Sequence, residues 1–496
     1  MTRDVDVSTP RGDAPHQDTT GLRRFGLRAL LGWAALLVGA VPFLLLWLLV
    51  QSSWPPLASL DGEVAAELNQ QVSGSPLLVT VLRWVTDLGG TAFAVLVMVL
   101  ATVFLLIRRQ RRLAAFVAVT GIGLAILGPV AKAVVDRARP VVQSPVVETP
   151  SNASFPSGHS MTAMVVYGAL LLVALPSVRR RARPWLVAAT AVVVVAVGFT
   201  RLALGVHFVS DVLAGWALGA GWLAVTAAAF RGWQHSRGRE PDVPLDPLDV
   251  PPGGEAHLAP SSDPALPGGR RTVLRLLAAA AGVFAVLTLL GLLVTAVLTD
   301  TWLGRFDRSV VQWIVEQRSP GLTTFMETLS VLSDTRVVIA VGLALAVLGL
   351  AVAASWRPAV FVVVTIVGEV LLYFASSRVV DRLRPEVADL VGGLPSGASW
   401  PSGHVAAAVA VYGALAALVI VYGRGRWRWW VLAVPAVLAP AIGISRIYVA
   451  AHYPTDVLAG LLLGAVWVWA CARYLLPPPG RGVRAGTAAA AARGRM

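Results

Sequence analysis

The sequence predicts an all-helical (all-α) polytopic membrane protein, with about twelve transmembrane helices arranged as two parallel six-helix bundles. Three observations carry this. Of 496 residues, 56% are hydrophobic and only 14% charged, where a soluble domain carries about 25% charged residues. Apolar runs of roughly 18 or more residues, the length needed to cross a bilayer, recur along the chain. Three short polar blocks occur twice, each pair separated by 245 positions, which marks an internal repeat.

Taken in order, residues 1–27 are polar, with Pro and Gly, and read as a disordered tail. Apolar runs follow near 28–50, 91–107, 113–135, 159–177, 184–200 and 208–229. The first is too long for a secretory signal peptide and lacks its cleavage site, so it is expected to stay as an anchor. Residues 51–90 read as a loop, with Asp61, Glu63, Glu67 and Asp87 against Arg83 alone. Residues 231–272 are rich in Pro, Gly and Asp and read as a flexible linker. The second set of runs lies near 273–298, 337–355, 358–377, 404–422, 429–444 and 455–475, and 477–496 form a second tail. The expected domains are therefore 28–230 and 273–476. Each holds an even number of spans, so the two share one orientation.

The formal net charge is +14, with a pI near 11.1 and a mean hydropathy of +0.71. In so apolar a chain this basic balance points to cytoplasmic loops rather than a nucleic-acid surface. Arg23, Arg24 and Arg28 precede the first run. Arg108, Arg109, Arg111 and Arg112 follow the second, Arg179, Arg180, Arg181 and Arg183 the fourth, and Arg424, Arg426 and Arg428 the tenth. Counting alternate sides places all of these on one face, expected to be cytoplasmic together with both termini, in the plasma (inner) membrane. The one cysteine, Cys471, leaves no intrachain disulfide and no cysteine metal cluster. The Ala- and Arg-rich composition fits a GC-rich bacterial gene.

The repeated blocks hold the chemistry. Asp136-Arg137-Ala138-Arg139-Pro140 returns as Asp381-Arg382-Leu383-Arg384-Pro385, Pro156-Ser157-Gly158-His159 as Pro401-Ser402-Gly403-His404, and Asp211-Val212-Leu213-Ala214-Gly215 as Asp456-Val457-Leu458-Ala459-Gly460. Six plus six helices is also the layout of many transporters, but their sites lie near the bilayer midplane. Here the blocks cluster at helix ends, on the face opposite the Arg-rich loops. Alone, Arg139-Pro140 would read as a helix end and Pro-Ser-Gly as a turn; Pro395-Ser396-Gly397 lacks the His and reads only as a loop. Four of the seven histidines, His159, His207, His404 and His452, fall in the blocks, and His16, His235 and His257 lie in the tail and linker.

Lys132-x6-Arg139-Pro140, Pro156-Ser157-Gly158-His159 and Thr200-Arg201-x5-His207-x3-Asp211 together resemble the type 2 phosphatidic acid phosphatase (PAP2) superfamily, which includes lipid phosphate phosphatases and vanadium haloperoxidases. The family pattern is K-x6-RP, PSGH and SR-x5-H-x3-D, with Thr200 here in place of Ser. The second half matches at Arg384-Pro385, Pro401-Ser402-Gly403-His404 and Ser445-Arg446-x5-His452-x3-Asp456, but Ser377 stands in place of the Lys. The resemblance implies a metal-independent membrane phosphatase without a cofactor, acting on lipid phosphates or diphosphates through a phosphohistidine. His207 is the implied nucleophile, Asp211 its tautomer-fixing partner and His159 the general acid; His452, Asp456 and His404 are their counterparts.

The residue types suit that chemistry. Phosphoryl transfer is catalysed mostly by positioning and electrostatic stabilisation. Lys132, Arg139 and Arg201 supply three cations, Arg384 and Arg446 two. Ser157 and Ser402 can donate hydrogen bonds, and Gly158 and Gly403 let backbone approach the phosphate. Lys132 is the only lysine among 41 basic residues, which suggests a place where a compact ammonium fits and a guanidinium does not. Its replacement by Ser377 predicts that the first half is the principal catalytic unit; Arg378 is adjacent but rotated by about 100° on a helix. Glu369, inside a span where the first half has Leu124, is either functional or a bundle-facing residue with a partner. The expected partners are a lipid phosphate and the membrane lipids, with no nucleic acid; oligomeric state has no sequence signal. The competing functions are a lipid phosphotransferase of the same superfamily and a non-hydrolytic lipid transporter or flippase.

Overall fold

The computed structural model describes residues 36–235, 263–387, 390 and 398–479. Arg23, Arg24, Arg28, His16, His257, the tripeptide Pro395-Ser396-Gly397, most of the expected linker and the last 17 residues lie outside the described residues. Among the described residues all regular structure is helical. The chain divides into two compact units, 1–98 with 115–252, and 99–114 with 253–496.

In the first stretch the helices are α1 (Val41–Gln51), α2 (Pro55–Ser73), α3 (Pro76–Asp87), α4 (Thr91–Ile107), α5 (Arg111–Val135), α6 (Gly158–Ala174), α7 (Arg183–Ala203) and α8 (Val209–His235). In the second they are α9 (Arg270–Leu292), α10 (Trp302–Glu316), α11 (Pro320–Val331), α12 (Thr335–Ala353), α13 (Arg357–Val380), α14 (Gly403–Tyr422), α15 (Ala433–Tyr448) and α16 (Pro454–Leu475). Among the described residues ten helical segments are long and apolar enough to cross a membrane, and up to twelve if each of two bent pairs forms one span. The bent pairs are Leu37–Gln51 with Pro55–Ser73, at 90°, and Pro76–Asp87 with Thr91–Ile107, at 41°. The expected span at 91–107 is thus only 17 residues by itself.

The segment expected as a loop, 51–90, is mostly helix. Pro55 and Pro76 open α2 and α3 at first-turn positions, where the missing N–H costs nothing. The Ser75 hydroxyl caps α3 by accepting from Leu78 N. The corresponding α10 and α11 begin after Thr301 and Ser319. These helices are either shorter than a bilayer or, as in α2, interrupted by polar residues such as Asp61, Glu63 and Glu67, so apolar run length alone does not reveal them.

Small residues let the helices that carry the blocks come close, as in many membrane bundles. A Cβ on Gly215 of α8 would meet Ser157 O at 2.6 Å, and one on Gly460 of α16 would meet Ser402 O at 2.5 Å. One turn on, Gly219 and Gly464 face Met161 O and Ala406 O at 3.1 and 3.0 Å. The glycine ending the repeated Asp-Val-Leu-Ala-Gly block therefore seats the start of α6 or α14 against the helix bearing the aspartate. The Trp222 and Trp467 indoles donate to Thr120 O at 2.9 Å and Thr365 O at 3.0 Å, docking α8 on α5 and α16 on α13.

Candidate active site

In the first unit the three blocks meet at the N-terminal end of α6. Ser157 N donates to Asp211 O at 2.9 Å, and Ser154 N to Arg137 O at 2.8 Å. His207 lies in the turn between α7 and α8 and is 2% exposed. Helix α8 starts only at Val209, so His207 and Asp211 do not share a helical face. They meet because Asp211 sits in the first turn, where its Oδ2 accepts from Phe208 N at 2.9 Å. That oxygen lies 3.3 Å from His207 Nδ1 and also accepts from the Ser154 hydroxyl.

The tautomer follows from the other ring nitrogen. Arg139 Nη1 is 3.2 Å from His207 Nε2, and a guanidinium can only donate. Nε2 therefore carries the lone pair and Nδ1 the proton, directed to Asp211. Burial pushes the imidazole down from its ordinary range to about 4, against the opposing pull of Asp211. At neutral pH the ring is an uncharged base with Nε2 beside a cation.

The cations are held by backbone. Arg139 donates to Val206 O at 2.7 Å, Asn152 O at 2.9 Å and Asn152 Oδ1 at 2.6 Å. Lys132, in the last turn of α5, donates from Nζ to Ala153 O at 2.6 Å. Arg201, in the last turn of α7, is 6% exposed; its Nη1 donates to Thr86 Oγ1 at 2.8 Å, while its buried Nε has no hydrogen-bond partner among the described residues. His159 lies in the first turn of α6 with Arg201, His207, Lys132 and Arg139 as its ionisable neighbours. Every site residue expected in the first half thus converges. Ser157 is committed locally: its hydroxyl oxygen accepts from Ser160 N at 3.4 Å and Ser160 Oγ at 2.9 Å as the cap of α6. A Cβ on Gly158 would meet only Lys132 Cε, at 3.7 Å, so the path to this backbone is open.

Sequence reasoning missed a clamp behind Asp211. Arg137 donates from Nη1 to Asp211 Oδ1 at 2.7 Å and from Nη2 to Asp61 Oδ2 at 2.9 Å, and it stacks 4.2 Å over the Phe208 ring. Asp61, on α2, is 1% exposed and also accepts from Ser210 N at 3.0 Å and from the Ser210 hydroxyl.

The second unit repeats most of this. Arg382 joins Asp456 at 2.6 Å to Asp307 of α10 at 2.8 Å and lies 4.4 Å over the Tyr453 ring. Ser402 N donates to Asp456 O at 2.9 Å, Arg384 to Ala451 O at 2.6 Å, and Arg446 to Ser330 Oγ at 2.9 Å. Three features differ. His452 Nδ1 bonds to Ser399 O at 2.7 Å and lies 3.9 Å from Asp456 Oδ2. His404 Nε2 lies 3.8 Å from Asp334 Oδ1. Ser377 does not stand in for a cation, because its hydroxyl turns back to Phe374 O at 3.1 Å. Among the described residues no group of three or more His, Cys, Asp or Glu side chains is arranged to hold a metal ion.

Comparison with known proteins agrees with the blocks. The PAP2 superfamily model matches residues 112–234 and 358–477. Phosphatidylglycerophosphatase B of Bacillus subtilis (strain 168) is 35% identical over 104 residues, 19% of this chain and 50% of that protein. An undecaprenyl-diphosphatase of Sulfolobus acidocaldarius is 34% identical over 109 residues, 22% of this chain and 48% of that protein. The chain thus spans about half the length of these curated relatives. The crystal structure of a transmembrane PAP2 type phosphatidylglycerolphosphate phosphatase from Bacillus subtilis is 28% identical, covering 44% of this chain and 97% of that one, at a TM-score of 0.32. The chain therefore carries two domains of the PAP2 superfamily, one in each of its repeats.

Proposed function

We propose that this chain is a membrane phosphatase that hydrolyses lipid phosphates or diphosphates, with the first repeat as its principal catalytic unit. One observation carries the reading: the His207 imidazole is oriented by Asp211 at 3.3 Å on one nitrogen and presents the other to Arg139 at 3.2 Å. The names of the relatives, a phosphatidylglycerophosphatase and an undecaprenyl-diphosphatase, support the substrate class.

In the proposed reaction the phosphate enters the space bounded by Lys132, Arg139 and Arg201. Their positive charges stabilise the charge that spreads over its oxygens in the transition state. His207 Nε2 attacks the terminal phosphorus, a P–N bond forms and the P–O bond to the leaving group breaks, a lipid alcohol from a monophosphate or a lipid phosphate from a diphosphate. His159 gives the leaving oxygen its proton, while Asp211 stabilises the imidazolium that forms. Water then attacks the phosphohistidine, His159 takes its proton, and inorganic phosphate leaves. The Arg-rich segment at 179–183 follows the far end of α6 from His159, which supports active sites on the extracytoplasmic side.

The test is phosphate release from a panel of lipid phosphates and diphosphates by purified protein in detergent. His207→Ala is expected to abolish release and acid-labile labelling of the chain, while His452→Ala leaves most of both. No release from any substrate would favour a non-hydrolytic function. Transfer of the phosphate to an added alcohol in preference to water would favour a phosphotransferase. Loss of turnover on His452→Ala alone would reverse the ranking of the repeats.

A further inference from the structure

One set of differences between the two repeats lies along one face of one helix. At positions 245 apart, Leu124, Gly128 and Lys132 of α5 become Glu369, Tyr373 and Ser377 of α13, while the arginines, histidines and aspartates of the blocks are unchanged. The three positions are one turn apart and line one face. In the first unit the Lys132 side chain borders the space beside Gly158, its Cε 3.7 Å from the position of a Gly158 Cβ. In the second unit the Tyr373 ring fills that space, and its Cε2 and Cζ would stand 2.9 and 3.1 Å from a Gly403 Cβ. The lysine is therefore exchanged, not merely lost. Gly128 becomes an aromatic residue one turn earlier, and its ring closes over backbone that the lysine side chain only borders in the first unit.

The anion-holding donors of the second site remain. Arg446 is 4% exposed, and Ser402 is fully buried; Arg446 Nε and Ser402 Oγ have no hydrogen-bond partner among the described residues. Arg384 and Glu369 are the charged neighbours of Tyr373, and Glu369 is 2% exposed. The site so built has two guanidiniums and a neutral phenol where the first has two guanidiniums and an ammonium. Loss of one cation weakens a dianion about twice as much as a monoanion. His452 also lacks the close carboxylate that would stabilise its cation, with Asp456 at 3.9 Å and the Ser399 carbonyl at 2.7 Å.

We propose that the second repeat is a non-hydrolysing binding site for a phosphodiester lipid headgroup, in which the Tyr373 hydroxyl donates where the first repeat uses the Lys132 ammonium. The proposal rests on the phosphate-binding role given above to the repeated blocks. A phosphodiester carries one negative charge and a monoester close to two at neutral pH, so the exchange shifts preference toward the diester.

The experiment uses the full chain in detergent with the first site disabled by Arg201→Ala and His207→Ala. Binding of dioctanoyl phosphatidylglycerol, a diester, is compared with that of dioctanoyl phosphatidate, a monoester. The expected result is diester binding without phosphate release, and monoester binding about tenfold weaker. Tyr373→Phe, which removes only the hydroxyl, is expected to weaken diester binding by about tenfold. Tyr373→Gly combined with Ser377→Lys is expected to invert the preference. Equal or tighter monoester binding, phosphate release by the disabled chain, diester binding unchanged in Tyr373→Phe, or diester binding that survives Arg446→Ala would each overturn the proposal. Phosphate release by the unsubstituted chain is measured in parallel; its absence would count against the phosphatase reading alone, because the binding preference needs no turnover.

Discussion

Arg137 donates to Oδ1 of Asp211 at 2.7 Å and leaves Oδ2 to face His207. The carboxylate beside the proposed nucleophile is thus itself held from behind, by a guanidinium anchored on Asp61. Arg137 contacts Asp211, Asp61 and the Phe208 ring, so its expected influence on the proposed site runs through Asp211.

That relationship gives the first prediction. Outer partners of a catalytic group are worth about 10- to 100-fold in activity. Arg137→Gln is expected to lower kcat by that amount while KM changes less than about twofold. Freed from Arg137, Asp211 pulls harder on the Nδ1 proton, so the acid limb of the rate profile moves upward from about 4. A profile that keeps its acid limb while kcat falls would make Arg137 purely structural.

The pH dependence of the unsubstituted enzyme follows from the same imidazole. In the proposed mechanism the reactive form is the neutral base, present above the folded pKa and lost as pH falls through about 4. At pH 5.5 an ordinary histidine would be only about 10% neutral, whereas this one is almost wholly so. Phosphohistidine formation, corrected for the ionisation of the substrate and of the proton donor His159, is therefore expected to lose none of its His207 base between about pH 7 and 5. Asp211→Asn removes the raising influence on His207, so the limb moves lower still while kcat falls. A limb near 6.5 in the unsubstituted enzyme would contradict this.

Lys132→Arg is expected to fail as a conservative change. The ammonium fits against Ala153 O at 2.6 Å beside Gly158, and a guanidinium fork is larger and planar. It would push residues 153 and 154 outward and pull the Ser154 hydroxyl from Asp211. Steady-state kinetics should show KM raised by about tenfold or more; an unchanged KM would mean the ammonium is not selected by shape.

Gly215→Ala tests the close approach of α8 to α6. The added methyl would meet Ser157 O at 2.6 Å, and overpacking of this kind costs about 1–3 kcal/mol. Thermal unfolding in detergent is expected to move down and activity to fall with it. Gly282→Ala, where nothing lies within 4 Å, is expected to change neither.

Chelation supplies the fifth. Lys132, Arg139 and Arg201 provide fixed positive charge at the proposed site, so phosphate release is expected to survive EDTA unchanged. Activity restored only by an added divalent cation would overturn the mechanism.

Much of the fold was legible because bilayer length and a constant offset of 245 are strong signals. The first-half residues of the proposed site were legible for the same reason, since Lys132, Arg139, Ser157, Arg201, His207 and Asp211 lie in contiguous blocks. Asp61 was not. Its counterpart Asp307 lies 246 positions on, and Ser330, which holds Arg446, lies 244 positions after Thr86, which holds Arg201. A search at one fixed offset passes over both pairs. They also sit on helices that are short or interrupted by polar residues, which carry no length signal. Ser154 and Ser399 do keep the offset, two residues before each Pro-Ser-Gly-His, and could have been found. The exchange at Tyr373 was invisible because the sequence shows a missing lysine but not which neighbour takes its space.

The Asp61 and Asp307 anchors carry one further consequence, for the extent of the repeat. Both lie upstream of the stretches that match the PAP2 domain, 112–234 and 358–477. Yet both make the same contacts to the arginine and to the residue before the aspartate. The repeat therefore extends beyond the matched stretches to the leading helices, and the offset shifts by one residue at the anchors without loss of their contacts. A fragment trimmed to either matched stretch would inherit the motifs but not the post they are tied to.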